Sequence, residues 1–352
     1  MFARKSLSEA FVIDLLTKSQ LRAPNQVNGL HESDAELVDL GQGYDELLAV
    51  TTDSIAEEVA AGLYSDPWQM GWMTAMVNFS DLVAVGAKPL GLLTALTFPL
   101  DVDGGFIEKL GLGIASACQS CGAFVLGGDT NFAESLLLSA TGIGTVPRSS
   151  YLTRKGCSPG DRVFLSGPAG SGNAYAFMRL QNHGLDTSFF SPSARIKEGI
   201  ALRGIASCCM DTSDGVLVTL DTLTRLNHYG FVIREDWERI LHPAALKLCQ
   251  QHQIPPWAAL AGIHGEYELC FCLSPEREAA FLAHAETLGW RPILLGEVVE
   301  NVGIFFERGG ERMPLNLDSF RGLSNELCGN PADYIWALTD YVQAMESRWH
   351  HV

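Results

Sequence analysis

Five aspartate-bearing segments interrupt the apolar runs of this chain, each with small or hydroxyl residues alongside: Ser33-Asp34, Thr51-Thr52-Asp53, Asn78-Phe79-Ser80-Asp81, Gly127-Gly128-Asp129-Thr130 and Asp211-Thr212-Ser213-Asp214-Gly215. Each reads as a place where a strand or helix meets a loop. One such aspartate alone is ordinarily a turn former or helix cap, because its carboxylate accepts nearby backbone N–H groups. Five together constrain the fold more tightly, since carboxylates that converge must be neutralised. Magnesium takes hard oxygen ligands, keeps several waters and bridges phosphate oxygens. A polyphosphate site built on Mg2+ therefore needs scattered carboxylates with hydroxyls and carbonyls beside them. The glycines of the GGDT and DTSDG segments would let backbone approach a phosphate closely.

The charge balance narrows the partners. With 24 Lys and Arg against 41 Asp and Glu, the formal charge of −17 repels a phosphate backbone and argues against nucleic-acid binding. A length of 352 residues exceeds one ordinary core and suggests two domains, and 47% hydrophobic with 18% charged residues suits a compact enzyme. Nine cysteines, odd in number and including the adjacent Cys208-Cys209, suit no disulfide framework and point to the cytoplasm. Cys118 and Cys121 form a C-x-x-C within an apolar helical pattern without a second ligand pair, so core packing is expected there and zinc is not. The N-terminus reads as a short amphipathic helix from Ser8 to Lys18. No apolar stretch is long enough to span a bilayer, and neither secretion nor membrane insertion is expected.

Periodicity predicts a strand over Leu47–Thr52 ending in Asp53, a helix over Trp68–Val85, a strand over Gly91–Phe98, a helix over Gly104–Cys121, and strands over Ala123–Leu126 and Leu136–Val146. The Pro-, Ser-, Gly- and Arg-rich segment from Pro147 to Asp161 marks a boundary near residue 150. Beyond it are expected a strand at Val163–Ser166, helices near Ala174–Gln181 and Ile196–Ile205, a strand-to-turn at Cys209–Gly215 and a helix to Tyr229. Strands at Leu269–Leu273 and Ile293–Leu295 and a terminal helix with Trp336 and Trp349 complete an α/β pattern. The expected units are 1–149, 150–330 and a C-terminal helix over 331–352.

Other segments offer rival chemistries. Gly167-Pro168-Ala169-Gly170-Ser171-Gly172 follows a strand with the spacing of a phosphate-binding loop, but Asn173-Ala174 stands where Lys and Ser or Thr belong, so it reads as a strand-to-helix turn. Gly111-Leu112-Gly113 lacks a third glycine and sits in a helix, which disfavours dinucleotide binding. Arg154 is the obvious cation to meet a phosphate in a bidentate fork, and a solvated linker arginine is the alternative. His31, His242, His252 and His264 show neither metal spacing nor a paired nucleophile, so surface or capping roles are expected for all four.

With its aspartate motifs in this order, the chain resembles thiamine-monophosphate kinase and the superfamily of aminoimidazole ribonucleotide synthetase, selenophosphate synthetase and HypE. The resemblance runs from about residue 28 to 325. It rests on TTDS at 51–54, MVNFSDLVAVGAKPL at 76–90, LGGDTN at 126–131, LTRKGCSPGDRVFLSG at 152–167, MDTSDGVLVTLD at 210–221 and GEYELCF at 265–271. It implies a two-domain α/β (α+β) fold: an N-terminal half whose strands join those of a second subunit in an intersubunit β-barrel, and a C-terminal α/β domain over the site. By the resemblance, Asp34, Thr51, Thr52, Asp53, Asp81, Asp129 and Asp211 match magnesium-binding positions. Gly128, Asp129, Arg154 and Ser213 match nucleotide contacts, and Asp53, Asp211 and Asp214 would carry catalysis. Asp214 and Glu266 would meet the substrate. The implied reaction passes a phosphoryl group from ATP to thiamine monophosphate in a homodimer. Three positions depart from the pattern: Glu32-Ser33-Asp34 keeps one carboxylate of two, Ala60 replaces a substrate-contacting histidine, and Gly265 stands where a glutamate is expected. Two other readings stay open, a relative that phosphorylates or activates another small molecule with ATP, and a nucleotide-binding regulator without turnover.

Overall fold

A computed structural model describes residues 9–181, 186–321, 323 and 331–349. The first part of the chain runs α1 (Glu9–Thr17), β1 (Glu36–Asp39), β2 (Glu46–Ser54), α2 (Ala56–Ala60), α3 (Pro67–Ala84), β3 (Lys88–Phe98), α4 (Gly104–Ser120), β4 (Phe124–Phe132) and β5 (Leu137–Pro147). Their strands form a sheet in the order β1-β2-β5-β3-β4. All neighbours are antiparallel except β3 and β4, which α4 joins as a crossover.

Local chemistry sets the two long helices. Asp66 caps α3 by accepting the Gln69 N–H, Pro67 occupies its first position, and Gly86 at φ +74 turns the chain out after it. Asp103 caps α4 through the Phe106 N–H, and Gly122 at φ +62 ends it. The helices cross at Gly71 and Gly113, where a Cβ would lie 2.0 Å from the Leu110 and Trp68 carbonyl oxygens respectively. Only glycine permits that approach. α3 is buried along nearly its whole length: Met73, Met76, Phe79 and Leu82 pack under the first sheet, while Val83 and Ala84 pack with Leu152, Phe164 and Phe271 of the second core. It is the beam between the two sheets.

The second part runs β6 (Arg162–Leu165), α5 (Ser171–Leu180), α6 (Ile196–Leu202), β7 (Cys208–Asp211), α7 (Val216–Asn227), β8 (Gly230–Arg234), α8 (Trp237–Ile240), α9 (Pro243–His252), α10 (Ala258–Ala261), β9 (Leu269–Leu273), α11 (Pro275–Thr287), β10 (Ile293–Val299), β11 (Ile304–Arg308), β12 (Glu311–Pro314), α12 (Leu317–Phe320) and α13 (Pro331–Trp349). Its strands form a sheet in the order β12-β11-β8-β10-β6-β9-β7. The 167–172 segment is a strand-to-helix turn as expected, with Gly170 left-handed at φ +84 before α5. Cys118 and Cys121 lie buried in the first core. Among the described residues no helix is long and apolar enough to cross a membrane.

One expectation about the aspartate segments needs correction. Gly127-Gly128-Asp129-Thr130 is not a strand-to-loop junction: β4 continues through it to Phe132, with Gly128 and Asp129 beside Thr94 and Ala95 of β3. A register shift between Leu92 and Leu93 and Gly127 at φ +155 absorb the glycine pair without ending the strand. Thr51-Thr52-Asp53 stands at the end of a strand as expected, with β2 closing one residue later at Ser54.

Candidate functional site

The end of α3, the segment before β1, the middle of β2 and the end of β7 meet where the two sheets approach. Asp34, Asp81 and Asp211 each place a carboxylate oxygen within 4.8 Å of the others. Their orientation is fixed by hydroxyls: Thr51 Oγ1 donates to Asp81 Oδ2 at 2.6 Å, Ser80 Oγ to Asp211 Oδ2 at 2.5 Å, and Ser213 Oγ to Asp211 Oδ1 at 2.8 Å. The Asn78-Phe79-Ser80-Asp81 segment is one turn of α3, and its side chains point to different neighbours. Ser80 reaches toward β7, while Asn78 Oδ1 accepts the Gly142 N–H from β5 at 3.2 Å.

Arg154 enters from the loop before β6. Its backbone N–H donates to the Glu32 carbonyl at 2.8 Å and its Nη2 to Asp34 Oδ1 at 2.8 Å, with the Asp34 side chain 1% exposed. Arg154 is therefore held against Asp34 rather than solvated in a linker. Burial works against its charge, yet Asp34, with Asp81 and Asp211 beyond it, holds the guanidinium pKa above its ordinary value.

Three acids flank this cation, and the imbalance is visible in the titration of Asp81 and Asp211. Burial, then Asp211, Asp53 and Asp34, push Asp81 well above the carboxylate range; burial and Asp34 raise Asp211 to about 6. Asp34 Oδ2 is buried without a hydrogen-bond partner. A pocket of hard oxygen donors, short of positive charge and holding an orphaned buried carboxylate oxygen, fits a divalent cation such as Mg2+.

The other expected residues distribute around this centre. Asp53 lies two residues along β2 from Thr51, on the same face of the strand, and its charge is felt by Asp81. Thr52 points to the opposite face, where its hydroxyl meets Thr141 Oγ1 at 2.9 Å. Ser213 and the exposed Asp214 occupy the turn after β7. Gly128 and Asp129 are exposed on β4, and Asp129 Oδ2 accepts from Asn131 at 2.7 Å. Three strand spacings separate Asp129 from β2, about 14 Å along the sheet, so the fold does not bring it to the three buried acids.

Glu266 is turned inward and 5% exposed; it accepts the Gly170 N–H at 2.7 Å and the Thr212 hydroxyl at 3.0 Å, and burial raises its pKa to about 8. Gly265 has a steric reason: a Cβ there would lie 1.5 Å from the Thr212 carbonyl oxygen, and its N–H donates to Ser213 O at 2.8 Å. The 265–268 segment is a brace under the DTSDG turn. Glu268 ties it down by accepting from Ser166 Oγ at 2.5 Å and pairing with Arg195. Ala60 is exposed at the end of α2.

Several polar groups escaped sequence reasoning. Glu58 has a buried, unpartnered Oε2, and burial, with Asp53 and Glu57 adding to it, raises its pKa to about 7. His264, expected at the surface or as a cap, is instead 4% exposed: its Nε2 lies 2.9 Å from Tyr64 OH in a buried aromatic cluster with Tyr175 and Phe190. Tyr267 takes a positive φ of 62° beside them, an uncommon conformation for a bulky residue. No periodicity or motif marks these contacts, because they join segments far apart in the chain.

Known proteins share both the sequence and this arrangement of elements. Residues 32–146 match the family model described as AIR synthase related protein, N-terminal domain. The thiamine-monophosphate kinase of Escherichia coli O157:H7 is 31% identical over 307 residues, covering 80% of this chain and 90% of that one. The Archaeoglobus fulgidus thiamine-monophosphate kinase is 27% identical over 301 residues, covering 83% and 89%. Among solved structures, tt0281 from Thermus thermophilus superposes with a TM-score of 0.77 at 27% identity, covering 89% of this chain and 99% of that one. The structure described as AaThiL complexed with AMPPCP and TMP gives 0.73 at 24%, covering 88% and 96%, and shares the fold. On the length and identity of these matches, taken with the aspartates clustered where its two sheets approach, the chain belongs to the thiamine-monophosphate kinase family.

Proposed function

We propose that this protein transfers the γ-phosphoryl group of ATP to the phosphate of thiamine monophosphate, giving thiamine diphosphate and ADP. The observation that carries the reading is the cluster of Asp34, Asp81 and the buried Asp211 with the Arg154 guanidinium beside it. Asp34, Thr51, Asp53, Asp81 and Asp211 would hold Mg2+, while Thr52, turned to the other face of β2, and Asp129, three strands away, stand outside this group. Magnesium bound there neutralises the two phosphate chains that would otherwise repel each other and the carboxylates. Arg154 offers donors to phosphate oxygens from a position already anchored on Asp34. Gly128 and Ser213 are further nucleotide contacts, and Asp214, exposed on its turn, faces the acceptor. Glu266 acts from beneath, holding the turn that carries Ser213 and Asp214 rather than touching substrate.

The working form is a homodimer. Phe124, Val125, Leu126 and Phe132 are exposed on β4, and Leu90 and Leu93 on the neighbouring β3, an apolar sheet edge that single chains rarely leave open. A second copy laid against it would also give Asp129 a polyphosphate to approach. Units 1–149 and 150–330 each carry one sheet, and the C-terminal helix of the 331–352 unit closes the second.

Purified protein incubated with ATP, Mg2+ and thiamine monophosphate should yield thiamine diphosphate and ADP in equal amounts. ADP release that is indifferent to thiamine monophosphate would reject this acceptor. A different small-molecule acceptor is the second reading, favoured by Ala60 and by the absence of space for a side chain at Gly265.

A further inference from the structure

A second cluster of ligating side chains lies apart from the acids. Eight cysteines in the described residues are free and buried. Three of them, Cys157, Cys208 and Cys272, bring their sulfur atoms within 4.8 Å of one another. Cys208 and Cys272 are direct cross-strand partners of β7 and β9. Cys157 arrives from the loop before β6 and is 3% exposed although Lys155, Gly156, Ser158 and Gly160 around it are exposed.

That loop is fixed in place. The Gly156 N–H donates to Asn227 Oδ1 at 2.9 Å, and Asn227 Nδ2 donates back to the Arg154 carbonyl at 2.9 Å. Gly156 takes φ +122, and a Cβ on it would lie 2.4 Å from Ser207 O. The loop backbone thus has a conformation specific to turning Cys157 inward onto the strand pair.

Strand alternation adds more sulfur. Met210 and Cys270, the next pair on the same face of β7 and β9, belong to the same core cluster as the three thiols. Cys209, Leu269, Phe271 and Leu273 pack on the opposite face. Two adjacent strands therefore present sulfur at four positions on one face, with the loop thiol as a fifth. Soft thiolates select thiophilic ions and are poor ligands for magnesium or calcium. Three sulfurs about 2.3 Å from one ion stand about 4 Å apart, a separation within that of the cluster.

We propose that Cys157, Cys208 and Cys272 bind one thiophilic cation, Zn2+ or Cu+, at a structural site independent of the phosphoryl-transfer centre. Each ligating thiol releases its proton to solvent as the sulfur–metal bond forms. The ion would staple the loop to the start of β7. That loop also carries Arg154, and β7 ends in Asp211, so the staple fixes from behind two elements that reach the acids.

The test uses full-length, reduced and metal-stripped protein titrated with Cd2+, read by thiolate-to-cadmium charge-transfer absorption, with Zn2+ and anaerobic Cu+ as competitors. One equivalent per chain should saturate the band, and the competitor that displaces Cd2+ at stoichiometric amounts identifies the ion. Cys157→Ala should abolish the band, while Cys249→Ala, a buried cysteine outside the cluster, should leave it unchanged. A wild-type band that never saturates at one equivalent, or one that survives Cys157→Ala, overturns the site. So does finding two of the three sulfurs joined as a disulfide in protein purified without reductant. Should Cys157→Ala fail to fold, the unfolding temperature of the wild type decides: a rise on adding one equivalent of Cd2+ that Cys249→Ala shares supports the site, and no rise rejects it.

Discussion

His264 illustrates what burial does to one side chain. Its ring sits among Tyr64, Tyr175 and Phe190, and burial lowers its pKa from 6.5 to about 4. A histidine held neutral in the fold contributes stability that is full above its unfolded pKa and declines as the pH falls from 6.5 toward 4, by about 3 kcal/mol in total. Urea unfolding of His264→Gln, which keeps a partner for the Tyr64 hydroxyl, should lose most of that acid-side slope; an unchanged slope would place the effect elsewhere. Asp211 carries the opposite kind of cost. As a charged group it is buried beside Asp34 and Asp81, so Asp211→Asn should raise the unfolding temperature of metal-free protein while lowering phosphoryl transfer by at least about 100-fold, on the order expected for losing a metal ligand. A variant that is both less stable and still active would remove Asp211 from the site.

At the scale of elements, the crossing of α3 and α4 decides where Asp81 and Ser80 stand. Helix propensity alone favours Ala over Gly by up to about 1 kcal/mol. Close packing reverses the sign, because the added methyl at Gly71 would meet the Leu110 carbonyl at 2.0 Å. Overpacking of this kind costs about 1–3 kcal/mol. Gly71→Ala should therefore be destabilised in denaturant unfolding, and its KM for ATP should rise as α3 moves away from β7. Gly111→Ala, where a Cβ meets nothing within 4 Å, is the matched control and should be neutral or slightly stabilising.

For the whole molecule, the apolar edge at β4 predicts assembly. Val125→Glu, on a strand whose every residue is exposed, should convert a dimer to a monomer in sedimentation and leave each chain folded; a dimer that persists would move the interface off this edge. Much of the fold was legible beforehand. The apolar periods of α3, α4, β3 and β5 are long, β9 is an unbroken apolar run, and the two helices start at aspartate caps and end at left-handed glycines, signals that act within a few residues. Short strands such as β8, β11 and β12 were not legible, because their stability lies in partners rather than in pattern. Asp34, Asp81 and Asp211 could be read as candidate ligands from residue type and neighbours, but their nearness could not, since the segment before β1, α3 and β7 are far apart in the chain. Thr52 and Asp129 show the limit from the other side: strand alternation turned one outward, and a parallel crossover carried the other to the sheet edge. The same holds for Cys157, Cys208 and Cys272, scattered in sequence and gathered by a strand pair and a loop. Sequence alone determined which groups this protein offers and which of its longer segments become helix or strand, because those depend on short-range sterics and hydrogen bonding. Which groups meet was decided only by tertiary structure, because sheet order and helix crossing depend on burying apolar faces that any one segment leaves unpaired.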